Sequence, residues 1–170
     1  MANETVNGLT LTVRIVGRVV GSDGAAQDVD ITYERSFTDG TGTNQVGAWF
    51  YDQTRTVAQA GEDVDLNGSA SYPDFKGAAL DLNSMALFYC ENLDTDTGDS
   101  VSVTRPAANG VTGMQAASDV TTVGPAGLLL WVSPVDKATV TAGTADLINL
   151  AAADASGSAV KLLIAGDNTT

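Results

Sequence analysis

Residues 47–67 read GAWFYDQTRTVAQAGEDVDLN, and residues 80–93 read LDLNSMALFYCENL. The first stretch divides into strand, turn and strand. Trp49, Phe50 and Tyr51 lead into an extended run ending at Val57, Ala60-Gly61 breaks it, and Val64 and Leu66 resume with inward side chains. Aromatic and β-branched residues suit a pleated surface, and the glycines argue against a helix. In the second stretch Leu80, Leu82, Ala86, Phe88 and Cys90 share one face and Met85, Leu87 and Tyr89 the other, with a kink expected at Asn83-Ser84. Apolar side chains on both faces specify a central strand covered on both sides, or covered on one side at a subunit contact. Burying such a strand takes a sheet packed on a sheet.

Working outward, the flanking segments add short strands. Leu9, Leu11, Val13 and Ile15 alternate with Thr10, Thr12 and Arg14, a period of two that predicts a half-buried strand ending at the Gly21-Ser22-Asp23-Gly24 cluster. Val29, Ile31 and Tyr33 alternate with Asp30, Thr32 and Glu34, giving a second strand with an acidic outer face. Residues 69–77 read as a loop and residues 91–100 as an acidic turn before a strand at Val101 and Val103. Residues 105–124 read as a long surface loop, and Leu128–Val132 as a buried strand. Further strands are expected at residues 139–141, 145–150 and 159–165.

Eight to ten strands at this spacing predict an all-β chain, an antiparallel β-sandwich, with a jelly roll preferred. An immunoglobulin-like sandwich is disfavoured because paired cysteines with a tryptophan between them are missing. Residues 1–8 are polar and read as a flexible N-terminal arm, and residues 9–170 as one sandwich domain.

Composition excludes several functions. The net charge is -13, from 21 acidic and 8 basic residues, so phosphate backbones and anionic lipid surfaces would repel the chain. Neither a nucleic acid nor a membrane is expected as a partner. This balance suits high solubility or a basic partner surface. There is no histidine, which removes imidazole-based triads and the common zinc sites. Cys90 is the single cysteine and sits in the apolar run, as a buried, inert thiol would. The first residues lack a basic leader and apolar core, so no secretory signal is expected, and no apolar run approaches the length of a membrane-spanning helix.

Chemistry-bearing constellations are weak. Asn92, Asp94, Asp96 and Asp99 begin like a calcium loop, but Thr97 occupies the sharp-turn position and no Glu follows at the twelfth place. Asp63 with Asp65, and Asp28 with Asp30, could supply a glycosidase pair, although any acidic strand face offers such pairs. Trp49, Phe50, Tyr51 and Trp131 could stack on sugars, but consecutive strand residues cannot all face one ligand. No catalytic residue, metal ligand or cofactor is assigned.

The pieces DQTRT (residues 52–56), EDVDLNGS (62–69), MALFYCEN (85–92), AGLLLWVSPVD (126–136) and VTAGTADLINLAAADASGSAVKLLIAG (140–166) follow one another in an order that resembles small head decoration, or cement, proteins of tailed bacteriophages. The resemblance covers roughly residues 46–168. It implies a jelly roll, a homotrimer, and a non-enzymatic structural role on the outer surface of the virion. The implied partner is the phage major capsid protein, with synthesis in the host cytoplasm. The capsid contact is expected in Ala2, Asn3, Glu4, Thr5, Val6, Asn7 and Gly8. The alternative is a carbohydrate-binding or adhesin-like module of a phage fibre.

Overall fold

A computed structural model describes residues 8–20 and 26–168. Among these residues there are fourteen strands and no helix. Eight strands form two antiparallel four-stranded layers. One contains β4 (Ala48–Val57), β7 (Ala79–Asn92), β11 (Leu128–Val132) and β14 (Ser158–Asn168), in the order β11-β7-β14-β4. The other contains β5 (Glu62–Asp65), β8 (Val101–Thr104), β10 (Val120–Val123) and β13 (Ala145–Ala152), in the order β10-β8-β13-β5. Counting only these eight along the chain, the layers read 6-3-8-1 and 5-4-7-2. The chain changes layer at every connection between them except β8 to β10. Short strands extend the edges: β6 (Asn67–Pro73) and β12 (Ala138–Thr139) pair with β7, and β9 (Asn109–Gly110) pairs in parallel with β13.

The layers face each other across one apolar core, the arrangement of a β-sandwich. Phe50, Leu82, Phe88, Cys90, Leu162 and Ile164 meet Val64, Val101, Val103, Val123, Ile148 and Leu150. In β13 burial alternates strictly, with Asp146, Ile148, Leu150 and Ala152 inward. β7 is buried on both faces along most of its length, as its sequence requires. Its face assignment differs from strict alternation, because Met85 lies in the core while Ala86 joins a second cluster on the outer face. Two one-residue bulges cause this. Opposite β14, Ala86 and Asn83 are each left without a partner, so the side chains between them change face. The second bulge lies at the kink expected from Asn83-Ser84. Gly166 sits against the backbone carbonyl of Ser84 here, and a side chain at this position would collide with it.

Three segments depart from the sequence reading. Residues 69–77 are partly strand, because Tyr72 is buried edge-on against Phe50 with the Arg55 guanidinium 4.3 Å above its ring. Residues 105–124 contain β9 and β10 and bury Val111, whose neighbours are too polar to show the pattern. β11 is an edge strand, half-buried with Leu128 60% exposed, since β7 is its partner on one side only.

Candidate interaction surface

β1 (Leu9–Val20) and β2 (Ala26–Asp39) form a long antiparallel ribbon in unbroken register, from Leu9 opposite Phe37 to Val20 opposite Ala26. β3 (Gln45–Val46) adds a short parallel pairing at the end of β2. Opposed residues share a face. One face carries Leu9, Leu11, Val13 and Ile15 opposite Phe37, Arg35, Tyr33 and Ile31. The other carries Thr10, Thr12, Arg14 and Arg18 with Ser36, Glu34, Asp30 and Asp28. Arg14 grips Asp30 with two hydrogen bonds of 3.0 and 2.8 Å, and Arg18 lies 3.8 Å from Asp28. The Arg14 guanidinium holds the Asp30 carboxyl below its ordinary value. Asp28 and Asp30 do share a face, but as ion-pair partners.

The expected half-burial of β1 holds for Leu9, Leu11 and Val13 alone. Beyond them Ile15 is 57% and Ile31 59% exposed. The alternation therefore records an apolar face whose outer half is left uncovered among the described residues.

The root of the ribbon is fixed firmly. Phe37 and Val46 are buried against Ala86, Leu87 and Ala165 on the outer face of the β11-β7-β14-β4 layer, with Leu9, Leu11 and Trp49 packed around them. Lys137 locks the turn that follows β2: its ammonium donates to the carbonyls of Gly42 (2.9 Å) and Gln45 (3.0 Å) and to Asp167 (2.5 Å). All three of its donors are thus used. Asp167 also accepts from the Ser84 hydroxyl at 2.8 Å.

Away from this root, the same outer sheet face stays apolar. Leu130, Tyr89, Leu163 and Tyr51 lie in one row across the four strands. Tyr51 is 45% exposed, and Leu128 lies at the adjoining edge. Lys161 and Glu91 neutralise each other at 2.8 Å, and the Tyr89 hydroxyl donates to Glu91 at 2.5 Å. Hydrogen bonds from Lys161 and then Tyr89 hold the Glu91 carboxyl below its ordinary value. Trp49 stacks on Phe75 at 5.5 Å, and an open groove of about 300 Å³ runs between them and Tyr51. Phe50 points into the core, and Trp131 packs on the core side of β11. The four aromatics therefore form no common platform.

The remaining candidates resolve into structural roles. Asn92 is fully buried, its amide donating to the carbonyls of Asp99 (2.7 Å) and Val123 (3.3 Å), while Asp94 accepts from the Ala159 amide. Among the described residues no group of three or more potential metal-binding side chains converges. Asp63 accepts from Asn149, and Asp65 from the backbone of Asn67. Burial raises the Cys90 thiol to about 12, so it stays protonated and inert. Of the expected contact segment, Ala2, Asn3, Glu4, Thr5, Val6 and Asn7 lie outside the described residues, as does the turn at residues 21–24. Gly8 is exposed at the start of β1. Compared with protein-family models, curated proteins and solved structures, the chain has no match.

Proposed function

We propose that this chain is a non-enzymatic virion structural protein, a decoration or cement protein that binds the outer surface of a phage capsid and stabilises it. The observation that carries this reading is the ribbon of β1 and β2: a rigid sandwich holds out a two-stranded arm whose apolar face is exposed at Ile15, Ile31 and Tyr33. Such a surface is built for contact with protein. The layer order 6-3-8-1 and 5-4-7-2 supports a jelly roll, an architecture found in viral capsid and lectin domains. The proposed partner is the major capsid protein, with the chain assembled as a trimer after synthesis in the host cytoplasm. No cofactor enters this role. Capsids assembled without the chain test it: purified protein should co-sediment with them and raise their resistance to heat. Failure to co-sediment at saturating protein would refute the role.

A carbohydrate-binding or adhesin-like module of a phage fibre is the second reading, favoured by the groove beside Trp49 and Tyr51. It requires tryptophan fluorescence that shifts with a bound glycan, and a glycan array without signal would remove it.

A further inference from the structure

We propose that the apolar face of the β1–β2 arm packs onto the outer sheet face of a second copy of this chain, around Tyr51, Tyr89, Leu130 and Leu163. Three observations carry this. First, the root of the arm already meets this sheet face within one chain, where Leu9 and Leu11 of the arm and Trp49, Leu130 and Leu163 of the sheet all pack against the cluster of Phe37, Val46, Ala86, Leu87 and Ala165. The arm's apolar face continues outward past this contact, and the sheet face continues sideways past it. Each continuation has the composition of the other's partner, and Ile15, Ile31 and Tyr33 on the arm and Tyr51 and Leu128 on the sheet are exposed. Second, a two-stranded ribbon alone is marginal in water, so Ile15 and Ile31 need a cover.

Third, the charge pattern permits a second copy as occupant. Copies carrying -13 each repel one another at long range, so a contact between them has to lie where neither face adds to that repulsion. The arm's apolar face holds one charged side chain, Arg35, which lies over its own Tyr33 ring at 5.0 Å. The sheet face holds the self-neutralised Glu91–Lys161 pair. A basic foreign surface would instead be met by the acidic remainder of the molecule.

Ile15, Ile31, Tyr33, Tyr51 and Leu128, with their half-buried neighbours, supply exposed apolar surface to both halves of an arm-on-sheet contact, as a stable complex burying about 1,200 Å² or more requires. The contact is heterologous, and a closed ring in which each subunit gives and receives one arm is the assembly that covers every arm without growing into a filament. The inference depends on the capsid reading for the number of copies, three, and for nothing else.

The test is the solution mass of the full chain by light scattering at micromolar concentration. The unmodified chain should have about three times the 17.4 kDa chain mass. An arm variant (Ile15→Asp with Ile31→Asp) and a sheet variant (Tyr51→Asp with Leu128→Asp, both exposed and outside the arm-root cluster) should each be monomeric, with the β-rich circular dichroism of the parent. Uncharged versions with Ser should weaken assembly in the same direction. Mixed in equal amounts, the arm and sheet variants should form dimers, since each keeps the half the other has lost. A monomeric unmodified chain, an arm variant of parental mass, or a mixture without dimers would overturn the inference. A monomer that still binds capsids would refute this contact alone, and a ring that does not bind them would refute the capsid role alone.

Discussion

Phe37 is the hinge pin of the arm, and its truncation should detach the arm while leaving the sandwich folded. The side chain is 1% exposed and packs with Val46, Ala86, Leu87 and Ala165, outside the main core. Phe37→Ala should remove about 3 kcal/mol, the low end for a buried Phe because the arm root can partly collapse. Among the described residues nothing beyond the root holds the arm, so this loss falls on local opening rather than on global unfolding. At about 1.4 kcal/mol per tenfold, the detached population should rise by roughly 100-fold. Hydrogen exchange read by mass spectrometry can separate the two cases. It should be run in the Ile15→Asp, Ile31→Asp background, so that only the root within one chain holds the arm. Peptides covering residues 9–13 and 33–38 should exchange about 100-fold faster, and those covering β7 and β14 should change by less than tenfold. Equal acceleration in β7 and the arm would mean the ribbon is part of the cooperative core. Unchanged arm exchange would mean that Phe37 does not anchor it.

Other perturbations test the surroundings of this root. Lys137→Met strands the Asp167 carboxylate in a nearly buried site and should cost about 3 kcal/mol by denaturant titration, with much of the loss restored by adding Asp167→Asn. The Glu91 carboxyl has a depressed value in the folded chain, so its contribution is present above 4.5 and fades as pH falls below it. The parent should therefore lose melting temperature more steeply in acid than Glu91→Gln, by no more than about 1 kcal/mol because the pair is partly exposed. Iodoacetamide at pH 8 should leave Cys90 unmodified in the native protein and modify it fully in denaturant, because burial raises the thiol to about 12. Native labelling at the rate of a free thiol would contradict the packing of β7.

Where the chain covers its own apolar faces, the sequence was a good guide. The two-sided apolar run of residues 80–93 does become the central strand β7, and the kink at Asn83-Ser84 does lie at a bulge. The inert setting of Cys90 was also legible. Period-two reading fails at Met85 and Ala86 because one-residue bulges at Asn83 and Ala86 change the face of the side chains between them and restore the pattern beyond, and no residue type announces the bulge at Ala86. It also missed β6 and β10, where Tyr72 and Val123 are isolated apolar residues among small polar ones.

The interaction surface was legible as a pattern but not as a surface. Alternation in Leu9, Leu11, Val13 and Ile15 marks an apolar face, and the same pattern results whether that face is covered by the chain itself or by a partner. Tyr51 and Leu128 show the same ambiguity on the sheet. Only the register of β1 with β2, and the absence of further strands over their outer half among the described residues, separates the two cases.

The capsid role is tested most directly by electron cryomicroscopy of shells assembled without this chain and then incubated with it. Added density is expected on the outer surface at fixed lattice positions, in groups of three bodies of 17.4 kDa each. Shells whose reconstructed surface is unchanged at saturating protein would contradict it.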